Sequence, residues 1–268
     1  MSFQPDLDAY FARIGYTGPR DPTLNVLNAI AVAHIQSIPF ENLDVLLQRP
    51  ISLDPADIFR KLVHNRRGGY CFEQNGLLLE LLRTMGFRAS PLSARVRWNR
   101  PSDVTPARTH VFLRVEIDGE SWLMDVGVGG LSPTAAIRLD ESGRVQATPH
   151  DRRRIVRDGG LLLHQVRIGE QWSDLYEFTM EEMPLIDREV ANWYTSAHAQ
   201  SYFRSNLLVA RAAPEGVRLT LLNDEFSSRG SDGRSASQKL TSSEELLEVL
   251  AEHFGLHFPA GTCFRPSV

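Results

Sequence analysis

The sequence predicts an α+β protein in which a helical bundle is followed by an antiparallel sheet or barrel and then by a small α/β unit. Three observations support this fold class. In the first third, apolar residues recur every three to four positions, as in amphipathic helices. After Gly86 apolar and polar residues alternate, as in half-buried strands. The last third shows both patterns, and 268 residues are enough for two or three small domains.

Four helices are predicted in the first third from apolar spacing and from the residues at their ends. They are residues 7–14, residues 23–37, a helix that begins at Asp54-Pro55, and a helix from Cys71 to Gly86. Gly15 is expected to stop the first of them. Asp54 is expected to cap the third, with Pro55 at its first helical position.

Strands are predicted where the apolar period is two. They are residues 93–98, 109–117 and 121–126, several strands between 152 and 178, and residues 207–212 and 217–222, with a helix at 242–254. Asp118-Gly119 is a strong signal for a two-residue hairpin turn. The segment 223–238 is rich in Ser, Gly, Arg and Asp, so it is predicted to be an exposed loop.

Composition excludes several classes of protein. The formal charge is −4, which does not fit a nucleic-acid-binding protein. The dense basic run, Arg152 to Arg154 with Arg157, is interpreted as a solvated strand or turn face. No apolar stretch reaches the roughly 18 residues that span a bilayer, and no signal peptide is recognised. With only two cysteines, the chain is predicted to keep reduced thiols in the cytoplasm. The sequence contains no close cluster of metal-binding residues, so a metal site is not predicted.

Cys71 is the first candidate for chemistry. A free cysteine is most often a small buried apolar residue. Here, however, Gly68-Gly69 allows a tight turn directly before it. The cysteine then opens a helix, where unpaired N–H groups and the helix dipole favour an anion. This setting favours the reactive thiolate. Cys263 has no comparable surroundings and is expected to be inert.

His110 and Asp125 are linked by the predicted hairpin. If Asp118 and Gly119 are the central turn residues, Asp125 lies opposite Phe112, two residues from His110. The two polar side chains then share one face of the sheet as diagonal neighbours, within reach of long side chains. A slip of one residue would place them on opposite faces. The turn therefore predicts that Asp125 can orient the imidazole of His110.

Cys71, His110 and Asp125 together would supply a nucleophile, a base and an orienting carboxylate. This set fits acyl transfer from a thioester, and it equally fits a cysteine protease or a transglutaminase. The sequence Val126-Gly127-Val128-Gly129-Gly130 follows the aspartate. Its glycines would allow close approach of the backbone to a ligand, and its N–H groups could form an anion nest. A plain glycine-rich turn is the alternative interpretation.

Several motifs along the chain resemble one family, the arylamine N-acetyltransferases. The most specific is the ten-residue run from Arg66 to Asn75, which resembles that family's nucleophile motif throughout. Further similar segments are Pro39 to Leu43, Arg108-Thr109-His110, Asp125-Val126-Gly127, Val190 to Ser196 and Ser201-Tyr202-Phe203. The resemblance covers most of the chain. One departure is Val128, where many relatives have an aromatic residue.

The resemblance implies a helical bundle over residues 1–86, a β-barrel over 87–187 and an α/β lid over 188–268, with a core like that of cysteine proteases and transglutaminases. It implies the triad Cys71, His110 and Asp125, with acetyl-CoA as donor and an arylamine, arylhydrazine or N-hydroxyarylamine as acceptor. Residues implied near the CoA arm are Val96, Thr109, Gly127 and Gly129. Residues implied to line the acceptor pocket are Phe40, Val128 and Phe203.

The resemblance also predicts a cytoplasmic monomer or homodimer without a metal, acting in xenobiotic metabolism. Arg66 and Arg67 are expected to be structural and to pair with carboxylates such as Glu41, rather than to meet CoA phosphates. Two alternatives stay open. One is a hydrolase or transglutaminase-like enzyme with the same triad. The other is a non-catalytic protein that binds CoA or an aromatic ligand, which would apply if the triad failed to assemble.

Overall fold

The computed structural model describes residues 3–101 and 103–264. The first part is helical, as predicted. Its helices are α1 (Leu7–Ile14), α2 (Leu24–Ser37), α3 (Leu43–Leu46), α4 (Pro55–Phe59) and α5 (Cys71–Thr84), with a π-helical turn at Arg60–His64. Gly15 ends α1 with a left-handed φ of 67°, and the Asp54 carboxylate accepts N–H bonds at the start of α4. Both predicted helix ends are therefore confirmed, and α5 ends two residues before the predicted Gly86.

The central part is a nearly closed antiparallel barrel of eight strands. They are β2 (Arg88–Val96), β3 (His110–Ile117), β4 (Glu120–Met124), β5 (Ile137–Arg138), β6 (Gln146–Ala147), β7 (Arg152–Asp158), β8 (Leu161–Ile168) and β9 (Gln171–Glu182), in the spatial order β5-β4-β3-β2-β9-β8-β7-β6. The edge strands β5 and β6 meet through a side chain. The Gln146 amide accepts from Arg138 N–H at 2.7 Å and donates to Arg138 C=O at 2.9 Å. The first barrel strand begins at Arg88, earlier than the predicted residue 93.

The hairpin between β3 and β4 has the predicted register. Asp118 and Gly119 both have positive φ, 52° and 80°, as a type I′ turn requires. Leu113 pairs with Met124, which is the pairing expected for this turn. Because Asp125 directly follows Met124, its side chain leaves the hairpin on the face that the sequence predicted.

The interpretation of the basic run as a solvated face is wrong for Arg153. The run lies on β7, where alternate side chains point to opposite faces of the sheet. Arg153 is fully buried and Ile155 follows it inward, whereas Arg152 and Arg157 are exposed. The density of charge alone therefore does not predict the exposure of these side chains. Because side chains alternate along a strand, Arg153 points into the barrel while its neighbours do not.

The last part contains α6 (Leu185–Ala197), α7 (Tyr202–Ser205) and α8 (Ser243–Phe254) beside a five-stranded sheet. The strands are β1 (Phe40–Glu41), β10 (Leu208–Ala212), β11 (Arg218–Leu222), β12 (Glu225–Arg229) and β13 (Ser235–Lys239), paired in this order. The prediction of a loop at 223–238 is wrong, because most of it forms the antiparallel pair β12–β13. All five residues of β13 are exposed, so no apolar alternation marks the strand in the sequence.

The three parts meet in one apolar cluster around Cys71. It combines Tyr70 from the helical part and Val111 from the barrel with Phe40 and Ala210 from the five-stranded sheet, which is named the lid sheet below. Within the described residues, no helix is long and apolar enough to cross a membrane. The predicted boundaries 1–86, 87–187 and 188–268 stay a prediction, and their ends at residues 1–2 and 265–268 lie outside the described residues.

Candidate active site

Cys71 is the first residue of α5 and is 4% exposed. A Cβ on the preceding Gly68 would lie 2.1 Å from the carbonyl oxygen of Pro39, so only glycine allows this approach. At the helix start, Tyr70 N–H donates to Glu73 Oε2 at 3.1 Å. The loop before the nucleophile is therefore fixed on both sides. The Cys71 thiol also contacts Thr109 C=O, with an Sγ···O distance of 3.7 Å.

His110 and Asp125 meet as the hairpin predicted. His110 Nε2 lies 2.8 Å from Asp125 Oδ2, and both side chains are buried. The Cys71 side chain lies close enough to the imidazole to contribute to the raised pKa of His110. Since Asp125 occupies Nε2, Nδ1 is the ring nitrogen left for the thiol. The structure thus brings the three predicted residues together as nucleophile, base and orienting carboxylate.

Asn75 fixes the carboxylate of Asp125. Its Nδ2 donates to Asp125 Oδ1 at 3.0 Å and to Val111 C=O at 2.8 Å, and its Oδ1 accepts Val126 N–H at 3.0 Å. Gly127 N–H donates to the same Oδ1 at 2.9 Å. Asp125 Oδ1 is thus occupied by two donors, which leaves Oδ2 for the imidazole. Asn75 is a functional residue that the sequence does not single out, although it lies one turn after Cys71 on α5.

The buried pair is arranged to be charged. Burial disfavours the imidazolium, but the Asp125 carboxylate and the bonds to Asp125 and Cys71 outweigh burial and raise the pKa of His110 to about 10. Burial alone would raise the pKa of Asp125, but His110 and the donors at Oδ1 lower it below its usual value. Both shifts have the same cause, which is the 2.8 Å contact between opposite charges in a water-poor site.

Residues 127–132, here named the glycine turn, pack against the nucleophile. A Cβ on Gly127 would lie 2.7 Å from Cys71 Cα, so the turn touches the helix start through a glycine. Gly129 has a φ of +89° and lies beside the ring of Phe40. The predicted anion nest is not available at the first two residues. Gly127 N–H is taken by Asp125, and Val128 N–H donates to Ser132 Oγ at 3.1 Å.

Aromatic side chains form a wall beside Cys71. The ring of Phe203 packs edge-on against Phe40 and Tyr70, with centroids 6.0 Å and 5.5 Å apart, and Tyr70 packs in the same way against Phe72. Asn42 holds the lid side of this wall, because its Nδ2 donates to Phe203 C=O at 2.8 Å. Tyr70 and Phe72 are buried, and Phe203 is the partly exposed ring of this wall, so it is the one that a flat aromatic molecule can meet.

The comparisons with known proteins agree with this chemistry. A family model described as N-acetyltransferase matches residues 23–262. An arylamine N-acetyltransferase of Escherichia coli (strain K12) is 40% identical over 252 residues, covering 94% of this chain and 89% of that protein. The chain belongs to the arylamine N-acetyltransferase family. It is accordingly an enzyme of the acyltransferase class.

Other members of the arylamine N-acetyltransferase family add detail. The solved M. tuberculosis enzyme is 39% identical, covers 93% of both chains and superposes with a TM-score of 0.90. A Mycobacterium marinum enzyme solved in complex with CoA is 38% identical and has a TM-score of 0.89, covering 93% of this chain and 92% of that one. A Salmonella typhimurium relative is described as an arylamine N-acetyltransferase and N-hydroxyarylamine O-acetyltransferase, at 39% identity over 93% of this chain and 88% of that protein.

The remaining predicted site residues lie at different depths in the site. Thr109 contacts the thiol directly through its carbonyl. Val96 is half-buried at the end of β2, where it pairs with Tyr176, whose ring centroid is 5.1 Å from that of His110. Val128 is half-buried and packs against the apolar core of the barrel. Contact with CoA or with an acceptor stays a prediction for each of them.

The predicted structural role of the two arginines before the nucleophile is confirmed for Arg67. Its guanidinium donates to Glu41 Oε1 at 2.7 Å and to Asp44 Oδ1 at 3.1 Å, with all three side chains largely buried. Arg66 is exposed, and no ion pair among the described residues includes it. Among the described residues there is also no group of three or more His, Cys, Asp and Glu side chains placed to hold a metal ion.

Proposed function

We propose that this chain transfers an acetyl group from acetyl-CoA through Cys71 to an aromatic amine or hydrazine. The observation that carries the proposal is the buried contact of 2.8 Å between Asp125 Oδ2 and His110 Nε2, with the Cys71 side chain near enough to the imidazole to help raise its pKa. A nucleophilic cysteine with a base and an orienting carboxylate is the equipment for forming an acyl thioester intermediate.

In the first half-reaction, His110 Nδ1 takes the proton of Cys71, and the thiolate attacks the carbonyl carbon of the acetyl thioester. The carbon–sulfur bond to CoA breaks, the CoA thiolate takes the proton from the imidazolium, and acetyl-Cys71 remains. Asp125 keeps the ring in place and stabilises its charged form, without itself becoming protonated. The raised pKa of His110 fits this step because the imidazolium must persist while the thiolate attacks.

In the second half-reaction, the nitrogen of the acceptor attacks the carbonyl carbon of acetyl-Cys71. His110 takes the proton that the nitrogen loses, the carbon–sulfur bond breaks, and the imidazolium returns its proton to Sγ, which restores the thiol. An N-hydroxyarylamine would react through its oxygen by the same steps, which extends to this chain the O-acetylation named for the Salmonella relative. In this scheme Phe40, Val128 and Phe203 contact the acceptor, and Val96, Thr109, Gly127 and Gly129 lie along the CoA arm.

The competing functions differ in what receives the acyl group. A hydrolase would pass it to water, and a transglutaminase-like enzyme would pass it to an alkyl amine of a peptide or protein. The partly exposed ring of Phe203, which packs edge-on against Phe40 in the apolar cluster of Cys71, supports an aryl acceptor instead. A non-catalytic binding protein would have no use for the charged pair of His110 and Asp125.

Release of CoA from acetyl-CoA, measured with a panel of arylamines, arylhydrazines and alkyl amines, tests the proposed function. We expect release to require an aryl acceptor and to be lost in Cys71→Ala. Double-reciprocal plots at several acceptor concentrations should be parallel, since one nucleophile serves donor and acceptor in turn. Release without any amine would indicate a hydrolase, and intersecting lines would indicate direct transfer. Cytoplasmic location, a monomer or homodimer, and a role in xenobiotic metabolism stay predictions.

A further inference from the structure

The glycine turn is held from its far side by two buried arginines. Arg218, on β11 of the lid sheet, donates to Gly130 C=O at 3.0 Å and to Ser132 C=O at 3.1 Å. Arg153, on β7 of the barrel, donates to Leu131 C=O at 2.6 Å. Three consecutive carbonyls of one turn therefore accept from two guanidinium groups that come from different sheets.

Asp151 joins the two arginines. Its Oδ1 accepts from Arg153 Nε and its Oδ2 from Arg218, each at 2.6 Å, and the three side chains are between 0% and 8% exposed. Burial alone would raise the pKa of Asp151, but the two guanidinium groups hold it well below its usual range. The cluster thus carries two positive charges and one negative charge, and the excess positive charge faces the carbonyl dipoles of the turn.

Stability alone is a weak reason for such a cluster, because a buried ion network is often no more stable than apolar residues of the same volume. What the guanidinium groups provide is geometry. The planar fork of a guanidinium presents donors on separate nitrogens in fixed directions, whereas a lysine ammonium donates from a single nitrogen on a flexible stem. The fixed turn is the one whose Gly127 touches Cys71 Cα and whose Gly129 lies beside Phe40.

We propose that Arg153, Asp151 and Arg218 are positioning residues that hold the glycine turn at the spacing that lets acetyl-CoA and the acceptor reach Cys71. The inference rests on the proposed function. The cluster bonds the turn at Gly130 to Ser132, whereas the turn's bond to Asp125 comes from Gly127 at its other end. We therefore expect the cluster to act on access to the thiol rather than on the thiol's activation. The rate at which a large substrate reacts with Cys71 should therefore depend on the cluster, whereas the rate for a small reagent should not.

Arg218→Lys keeps the charge and removes the fork. We expect the second-order rate constant for acetylation of Cys71 by acetyl-CoA to fall about tenfold, because small misplacement of a substrate wall is costly. The rate constant for alkylation of Cys71 by iodoacetamide should change less than about twofold, since the triad is intact. Ser132→Ala, which removes only the acceptor of Val128 N–H, is a milder variant. It should also lower the ratio of the acetylation rate constant to the alkylation rate constant.

Two controls separate positioning from loss of fold. Arg154→Lys makes the same substitution one residue away, where the side chain bonds Gln165 and stacks on Trp172 instead of entering the cluster. Leu250→Val lowers stability in the apolar cluster of the lid, which contains no residue of the glycine turn. Neither control should change the ratio of acetylation to alkylation.

A parallel fall of both rate constants in Arg218→Lys and Ser132→Ala would overturn the proposal, as would unchanged acetylation in folded variants. Wild-type protein that acetyl-CoA fails to acetylate would instead overturn the proposed function itself. The two failures are distinguishable because the wild type and the variants are measured side by side.

Discussion

Asp125→Asn tests the relay because the surroundings dictate how the new amide must lie. Asn75 Nδ2 and Gly127 N–H both donate to the Oδ1 position, at 3.0 Å and 2.9 Å. The amide oxygen must therefore take that position, and the amide NH₂ must point to His110. It would donate to Nε2, which places the ring proton on Nδ1, toward Cys71. The imidazole could then no longer accept the thiol proton.

The size of the effect follows from the pKa of His110. With the carboxylate present this pKa is raised from 6.5 to about 10, against the opposing effect of burial. Without the carboxylate the largest influences that oppose burial are lost, so the pKa of His110 should fall. A difference of one in pKa corresponds to about 1.36 kcal/mol between the two protonation states. We expect acetylation of Cys71 to slow by about a hundredfold to a thousandfold.

The assay is quenched-flow acetylation by acetyl-CoA, followed by intact mass, with the thermal transition measured on the same samples. Asp118→Asn is the matched control, because it makes the same change in the same hairpin at an exposed turn position with a φ of 52°, which asparagine accepts. A folded Asp125→Asn protein that acetylates within about threefold of the wild type would remove Asp125 from the relay.

Three further predictions concern the same site. Gly127→Ala places a Cβ 2.7 Å from the Cα of the nucleophile, so acetylation should be lost, whereas Gly160→Ala, with nothing within 4 Å, should be neutral in rate assays. Val128→Phe should leave acetylation of Cys71 nearly unchanged. It should shift the ratio of kcat/KM between bulky and compact aryl acceptors toward the compact ones by about three- to tenfold. An unchanged ratio would mean that the side chain points away from the acceptor. Because the pKa of His110 is raised to about 10, its protonation stabilises the folded state fully below pH 6.5, and this stabilisation is lost as the pH approaches 10. The difference in the free energy of urea unfolding between wild type and Asp125→Asn should therefore shrink from pH 6.5 to pH 10. A difference that grew over this range would contradict the charged pair.

The triad was predictable because local signals determine it. The Asp118-Gly119 turn sets the strand register, and the register places His110 and Asp125 on one face. Gly68-Gly69 before a helix start similarly indicated the position of Cys71. These local signals place each group on its own element. The meeting of Cys71 with His110 and Asp125 is a tertiary contact, which the sequence implied only through the family resemblance.

The rest depended on tertiary contacts that a single segment does not encode. Arg153 looked solvated beside other arginines. Its partner Asp151 lies two residues before it, but the carbonyl of Leu131 becomes its partner only through the packing of the barrel. The β12–β13 pair has a fully exposed edge strand, so its sequence carries no apolar period. Asn75 became recognisable as a positioning group only when the barrel brought Asp125 within 3.0 Å of it.

The most direct test of the central claim is the intact mass of the protein after incubation with acetyl-CoA and no acceptor. We expect the mass to rise by one acetyl group, peptide mapping to locate it on Cys71, and an arylamine to remove it. Cys263→Ser should label like the wild type, because Cys263 is exposed and lies outside the relay. Acetylation at Cys263, or CoA release to an arylamine by protein that never carries an acetyl group, would contradict catalysis through acetyl-Cys71.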